Sequence, residues 1–155
     1  MPSRREQIVM TAGEITEFLN EERVLNVATI GRSGHPHVVA MWYALIDGDL
    51  AFWTFAKSQK VANLRRDARI TGLVEAGDVY EELRGVEIVG TATLIDDYEA
   101  LLDIGRTVAA RYNGGVATSQ QVEEFLAQQA RKRIGVRIEA ERFVSWDHRK
   151  LDRTY

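Results

Sequence analysis

Short apolar segments rich in β-branched residues recur along this chain, and the turn signals between them constrain its fold most. We expect strands over residues 24–30, 36–46 and 49–55, because each segment has the composition of a strand. A Gly-rich turn at 31–34 separates the first two strands, and the Asp-Gly pair at 47–48 is a strong hairpin signal between the second and third. Consecutive strands joined by such short turns pair antiparallel.

The second half of the chain alternates further strand segments with helical patterns. We predict strands over 70–75 and 83–95, one through Ile134, Val136 and Ile138, and a last one over 143–146. We predict helices over 11–22 and 58–67. We predict a third helix that Asp96 or Asp97 caps and that ends at 113–115, and a fourth that begins with a capping box at 118–121. This pattern indicates a small antiparallel β-barrel, mainly β with peripheral helices, and we expect one domain over residues 1–155.

Composition and charge limit the partners of the protein. A formal net charge of -3 gives no electrostatic reason to expect binding to nucleic acid or to an anionic membrane. The chain has no cysteine, which excludes disulfides, thiolate metal sites and a cysteine nucleophile. The first residues lack the apolar run of a signal peptide, and no apolar run is long enough to span a bilayer. We therefore expect a cytoplasmic protein.

The segment in which the third strand ends and a helix begins carries the first functional signal. Ser58 is a suitable N-cap, because its hydroxyl can accept a backbone N–H of the first helical turn. A helix N-terminus presents unpaired N–H groups and a partial positive charge, and Lys57 and Lys60 add full charges beside it. Ser58, Gln59 and Lys60 therefore predict a phosphate-binding site. The alternative is an ordinary capped helix with solvated lysines.

Other arrangements that would carry catalysis are weak. His35 and His37 share a face of the second predicted strand, but a metal site needs further ligands and His148 is remote in sequence, so we expect no metal. The sequence contains no serine nucleophile motif and no convincing acid–base pair. If the protein is an enzyme, we expect its chemistry to belong to a bound cofactor.

Several segments of the chain, taken in order, resemble the flavin and deazaflavin oxidoreductases of the pyridoxamine 5'-phosphate oxidase-like split-barrel superfamily. Ser58-Gln59-Lys60, with Leu64 four residues after the lysine, is similar to the phosphate loop of that family. Residues 27–30 and 34–39 resemble its first hairpin, residues 83–92 its long barrel strand, and residues 142–147 its last strand. Together these segments span nearly the whole chain, from the first helix to Trp146.

The resemblance implies a split β-barrel of the FMN-binding type, assembled as a homodimer with cofactor sites at the subunit interface. The FMN-dependent oxidases favour Arg where this chain has Gln59, and Ser-Gln-Lys is more similar to the branch that uses the deazaflavin coenzyme F420. The implied function is transfer of a hydride from reduced F420 to an electron-poor small molecule such as an enone, a conjugated alkene or a quinone. The alternatives are an FMN-dependent oxidoreductase, a non-enzymatic cofactor binder and a structural dimer.

The resemblance, with the charges noted above, also implies roles for individual residues. The expected cofactor-binding residues are Lys60, Ser58, Gln59 and Lys57 at the phosphate, Thr54 and Phe55 beside the ribityl chain, His37, Val38 and Val39 along the ring, and Leu83 and Arg84 as the contribution of the second subunit. Candidates for the substrate side are Trp42, Tyr80 and Trp146, and candidates for the proton donor are Tyr43 and Tyr80.

Overall fold

A computed structural model of the chain describes residues 1–113 and 119–151. Within these ranges, seven strands form one antiparallel sheet in the order β2-β1-β5-β6-β7-β4-β3. The strands are β1 (Val24–Ile30), β2 (Pro36–Trp42), β3 (Ala44–Ile46), β4 (Asp49–Phe55), β5 (Arg69–Ala76), β6 (Arg84–Ile95) and β7 (Arg133–Asp147). The helices are α1 (Arg4–Ile8), α2 (Ala12–Glu21), α3 (Gln59–Arg66), α4 (Tyr98–Tyr112) and α5 (Gln120–Ala130).

The sheet closes on itself at Tyr43. The two edge strands, β2 and β3, are consecutive in the chain, and only Tyr43 lies between them. Because β2 pairs with β1 and β3 pairs with β4, one segment of chain contributes to both edges, and the sheet curls into a barrel. The prediction of a single strand over residues 36–46 is therefore corrected. The chain changes partner at Tyr43 and forms two strands.

Tyr43 is held from three sides, which fixes the point of closure. Its side chain is fully buried, and its hydroxyl donates to the carbonyl oxygens of Leu19 and Glu22 at 2.7 and 3.0 Å. Its backbone N–H donates to the Tyr112 hydroxyl at 3.0 Å, and the Arg111 guanidinium lies 4.5 Å from the centre of its ring. Tyr43 thus joins the ends of α2 and α4 to the barrel.

The alternation of side chains along β4 separates an inner core from an outer layer. Leu50 and Phe52 point into the barrel, where they pack with apolar side chains of β1, β5, β6 and β7. Ala51 and Trp53 lie on the opposite face and pack against α4. The Trp53 ring lies directly on Gly105 of α4, where a Cβ would collide with it. The expected antiparallel barrel with peripheral helices is confirmed.

β7 is one strand of 15 residues, not the two short strands predicted near its ends. It pairs with β6 from Gly135 to Asp147, with a single register shift at Val89 and Gly90. Residues 139–143 are exposed on both faces, so they lack the alternation by which a strand is predicted. Their backbone pairing with β6 continues nevertheless, and the predicted break is wrong.

Cap residues decide where the helices begin. A capping box begins α2, since Thr11 Oγ1 accepts from the N–H of Glu14 and the Glu14 carboxylate accepts from the N–H of Thr11. Asp97 caps α4. Ser119 caps α5 by accepting from the N–H of Val122, so this helix begins one residue later than a cap at position 118 predicts.

Two further details of the helices complete the comparison with the sequence. The short helix α1, which a capping box between Ser3 and Glu6 begins, is not among the predicted elements. It buries no side chain, so it lacks the apolar spacing that indicates a helix. Asn113 ends α4 as predicted, whereas Gly114, Gly115 and Thr118 lie outside the described residues.

Gly90 lies at the register shift between β6 and β7, where a Cβ would collide with the backbone carbonyl of Glu139. We predict that Gly90→Ala lowers the free energy of unfolding by about 2 kcal/mol, because a carbonyl within a sheet cannot move aside. The matched control is Gly13→Ala in α2, where a Cβ meets only Thr11 Oγ1 at 4.0 Å. This change should raise the free energy of unfolding by up to about 1 kcal/mol. Urea denaturation measures both, and equal effects would contradict the prediction.

Candidate functional site

The end of β4 and the start of α3 bring together three polar side chains that were predicted to bind the cofactor. Thr54 points inward from β4, Ser58 is the N-cap residue of α3, and Lys60 lies in the first turn of that helix. Lys60 Nζ donates to Thr54 Oγ1 at 2.9 Å. We call Thr54, Ser58 and Lys60 together the α3 anion site.

Ser58 occupies the N-cap position without acting as a side-chain cap. Its backbone is extended, as in an N-cap residue, but its hydroxyl makes no hydrogen bond to the first turn of α3. The expectation of a capping hydroxyl is therefore wrong. Ser58 Oγ is buried and has no hydrogen-bond partner among the described residues. Since buried polar atoms are normally paired, this hydroxyl fits a ligand that binds at the start of α3.

Lys60 is a nearly buried cation without an acidic partner in the part of the chain that the structure describes. Its exposed fraction is 9%, and within residues 1–113 and 119–151 no carboxylate lies within ion-pair distance of its ammonium. Burial lowers the pKa of the Lys60 ammonium, and the nearby positive charge of Arg133 lowers it further. A buried charge that lacks a counter-charge is costly, and an anionic ligand would supply that counter-charge. The residues present therefore fit a phosphate group.

Arg133 is a second partly buried cation near the same strand end, and the sequence reasoning missed it. It is opposite Phe55 in the pairing of β4 with β7, and its guanidinium lies 4.4 Å from the centre of the Phe55 ring and 5.1 Å from that of Trp53. Its Nε and one terminal nitrogen both donate to Gln129 Oε1 at 3.2 Å. Burial lowers the pKa of the Arg133 guanidinium. No local signal predicts this residue, because only strand pairing brings it to β4.

A buried polar network fixes α3 on the barrel. Gln59 Nε2 donates to Asn63 Oδ1 at 2.9 Å, and Asn63 Nδ2 donates to Thr29 Oγ1 at 3.0 Å. Arg66 donates to the carbonyl oxygen of Ile30 at 2.7 Å. Gln59, predicted to contact phosphate, thus positions α3 through Asn63. Lys57 is exposed in the loop before the helix.

The three predicted ring residues of β2 do not share one face. His37 and Val39 are half-buried on the inner face of the strand, whereas Val38 points outward and is 61% exposed. His37 lies opposite Thr29, the residue that Asn63 of α3 contacts. Its Nδ1 is buried and has no partner among the described residues. The structure thus brings His37 to the side of the barrel that α3 covers.

Leu83 and Arg84 lie far from the α3 anion site within one chain. They are at the start of β6, which pairs with the end of β7, whereas Thr54 pairs with Ile134 near the start of β7. At about 3.3 Å per residue, the two places are about 40 Å apart measured along that strand. Arg84 also forms an ion pair of 3.0 Å with Glu21. A contribution from a second subunit stays a prediction.

The aromatic candidates for the substrate side fall in different places. Trp42 is 58% exposed and stacks on Tyr112, with ring centres 4.3 Å apart and an angle of 9° between the planes. Tyr80 meets the ring of His148 edge-on, with ring centres 4.5 Å apart. Trp146 packs over the start of β6, on Gly85, with which it pairs.

Tyr43 is not available as a proton donor. It is fully buried, and its hydroxyl already donates to backbone carbonyl oxygens. Burial raises the pKa of the Tyr43 hydroxyl, which opposes its ionisation further. Tyr43 closes the barrel, so its candidate role as proton donor is wrong.

A cavity of about 630 Å³ lies between α4, α5 and the outer face of β2 and β4. We call it the outer cavity. Its wall includes the aromatic rings of Trp42, Trp53, Tyr112 and Phe125 and the polar ends of Gln129 and Arg133. Its volume lies in the range of small-molecule sites. Of the candidates for the substrate side, Trp42 contacts it.

Over the described parts of the chain, 1–113 and 119–151, no group of three or more His, Asp or Glu side chains is placed to hold a metal ion. None of the helices described there is long and apolar enough to cross a membrane.

The closed antiparallel sheet with helices on its outer face defines a split-barrel protein. The family model for pyridoxamine 5'-phosphate oxidase matches residues 11–147, so the chain belongs to that family, and the resemblance seen in the sequence is confirmed. No curated protein matches the sequence.

Solved structures add relatives at different distances. A conserved hypothetical protein from Mycobacterium tuberculosis shares 46% sequence identity at a TM-score of 0.90, over 99% of this chain and 96% of that one. An F420 reductase shares 20% identity at a TM-score of 0.61, over 92% of this chain and 98% of that one. An FAD-binding protein from Mesorhizobium loti shares 18% identity at a TM-score of 0.65, over 88% and 94%. At the two lower identities the likeness supports the fold alone.

Lys60→Met tests whether the charge of Lys60 in the α3 anion site lowers the free energy of unfolding. The change removes a buried cation near Arg133 and keeps an unbranched side chain, so we predict a gain in the free energy of unfolding of about 1 kcal/mol at neutral pH. The lost hydrogen bond to Thr54 offsets part of this gain.

The gain should shrink at alkaline pH. Because the pKa of Lys60 is lower in the folded chain than its ordinary value of 10.5, the unfolded wild type binds more protons and wild-type stability rises as pH approaches that value. Urea denaturation of both proteins at neutral pH and at about pH 10 measures the difference. A destabilised variant, or a gain independent of pH, would contradict the assignment.

Proposed function

We propose that this protein is an oxidoreductase that holds coenzyme F420 by its phosphate at the α3 anion site. The observation that carries the proposal is Lys60, an ammonium with an exposed fraction of 9% and no carboxylate partner in the described residues. A fold keeps such an uncompensated charge at a cost, and binding function is the usual reason. A phosphate would accept hydrogen bonds from Lys60, from the Ser58 hydroxyl and from first-turn N–H groups.

The chain itself would bind and orient the reactants. When bound and reduced, F420 supplies a hydride, and an electron-poor small molecule such as an enone, a conjugated alkene or a quinone accepts it together with a proton. Holding donor and acceptor in contact and aligned can supply a large part of the rate. Of the two tyrosine candidates, Tyr43 is buried with its hydroxyl already donating to backbone carbonyl oxygens, and Tyr80 lies against His148, so we assign the proton to solvent.

Gln59 favours F420 over FMN. Its neutral amide is tied to Asn63, so the start of α3 offers one ammonium where an Arg at this position would add a guanidinium. FMN ends in a phosphate monoester with more charge than the phosphodiester of F420, and it gains more from a second cation. The family that the chain belongs to and the FAD-binding structural relative support FMN as the second candidate.

Removing the Lys60 ammonium should weaken coenzyme binding. We predict that Lys60→Ala lowers F420 affinity about ten- to a hundredfold, because a charge-assisted phosphate contact contributes roughly 1.5–3 kcal/mol. Lys132→Ala removes the same charge from an exposed position beside β7 and should leave the affinity nearly unchanged. Equilibrium titration followed by coenzyme fluorescence measures both. An unchanged affinity in Lys60→Ala would place the phosphate elsewhere.

The same titration with FMN, and turnover assays, separate the remaining alternatives. Tighter binding of FMN than of F420 by the wild type would favour an FMN-dependent oxidoreductase. Oxidation of reduced F420 in the presence of enones, conjugated alkenes or quinones would support a reductase. Binding of F420 without turnover across the panel would favour a non-enzymatic binder.

We also propose that two copies of the chain complete each site. Large apolar side chains point outward from the barrel, among them Val38, Val79 and Phe143 with exposed fractions of 61%, 52% and 48%. Isolated apolar residues are common on surfaces, but burial of several against a second copy would stabilise a dimer. A dimer would also let Leu83 and Arg84 of one copy approach Lys60 of the other.

Mixing two variants with weakened coenzyme binding tests the shared site. In a symmetric dimer, Lys60→Ala and Arg84→Ala would each disrupt both sites, whereas a mixed dimer would contain one intact site and one doubly altered site. We predict that subunit exchange restores coenzyme binding to about a quarter of all sites. Titration of the exchanged mixture measures this fraction. If Arg84→Ala alone binds F420 normally, or if mixing restores nothing, Arg84 does not belong to the site.

A further inference from the structure

We propose that the outer cavity binds a flat aromatic molecule that carries one carboxylate, and that Arg133 holds this carboxylate. The volume of about 630 Å³ accommodates a ligand of two or three fused rings. The exposed face of Trp42, which stacks on Tyr112, and the rings of Trp53 and Phe125 supply surfaces against which such a ligand can pack.

The charge in the cavity wall selects an anion. Arg133 contacts a neutral amide, Gln129, and in the described parts of the chain no carboxylate lies within ion-pair distance of it. Nε and one terminal nitrogen of Arg133 both donate to Gln129 Oε1. The other terminal nitrogen of Arg133 makes no hydrogen bond to the described residues. A planar guanidinium fixed in this way suits a carboxylate, which it can bind through two parallel hydrogen bonds.

The outer cavity and the α3 anion site lie on opposite faces of β4. Thr54, which accepts from Lys60, points inward, whereas Trp53 and Phe55 point outward beneath Arg133. Each face therefore has its own cation. An anion at Lys60 and an anion at Arg133 would contact different faces of β4, so neither would occupy the place of the other. The binding of this ligand does not depend on the proposed function.

A matched pair of ligands isolates the charge. We expect 2-naphthoate to bind the apo-protein at least about tenfold more tightly than 2-naphthalenemethanol, which has the same rings and no charge. Arg133→Gln should abolish this preference. Arg137→Gln is the matched control, because Arg137 follows on the same face of β7, is paired with Asp49 at 2.6 Å, and lies outside the cavity wall. Isothermal titration calorimetry measures each constant. Equal binding of the two ligands, or a preference that Arg133→Gln retains, would overturn the proposal.

A second variant tests where the ligand binds and leaves the charge of Arg133 unchanged. Ala109→Phe adds volume to the cavity wall on α4 and should abolish binding of both naphthalene ligands, with circular dichroism and thermal unfolding used to verify the fold. Retained binding in a folded Ala109→Phe protein would place the ligand elsewhere and overturn the proposal.

Competition with the coenzyme separates this inference from the proposed function. We expect saturating F420 to leave the dissociation constant of 2-naphthoate within about threefold of its value in the apo-protein. Displacement of 2-naphthoate by F420 would make the cavity the coenzyme's own site and would overturn the proposal of a separate site. If F420 does not bind at all, the proposed function fails, whereas the naphthoate results still decide the present inference.

Discussion

The closure of the sheet at Tyr43 is the constraint on which the rest of the structure depends. A single buried side chain lies between the two edge strands and hydrogen-bonds to the carbonyl oxygens at the end of α2, while its backbone N–H contacts α4. Both the hydroxyl and the backbone N–H of Tyr43 find hydrogen-bond partners inside the protein, and these bonds fix the junction. It keeps the inner face of β4 towards the barrel core and its outer face towards α4.

Near the end of β4, two cations have no carboxylate partner among the described residues. Lys60 on the inner side and Arg133 on the outer side are both partly desolvated, and burial lowers the pKa of each. Elsewhere in the described residues, arginines such as Arg137 and Arg149 face carboxylates within hydrogen-bond distance. The contrast supports the proposal that the counter-charges of Lys60 and Arg133 come from ligands.

Local patterns predicted the elements whose conformation depends on near neighbours in the chain. The bounds of β1 and β4 agree with the prediction residue by residue. The Asp47-Gly48 turn has positive φ angles of 51° and 86°, as a tight hairpin requires. Predictions that depend on distant neighbours were less successful. The partner change at Tyr43, the continuity of β7 and the position of Arg133 all follow from pairing between strands that are remote in sequence.

The sequence by itself determined the antiparallel strand content, the start of α3 and the adjacency of Ser58 and Lys60, because hydrophobic period, turn chemistry and helix geometry act over a few residues. Only the tertiary structure decided that Lys60 is buried against Thr54, that the Ser58 hydroxyl has no partner among the described residues, and that Arg133 faces an aromatic cavity. Burial and charge compensation are properties of the surroundings, and the surroundings form only when the sheet closes and its strands pair.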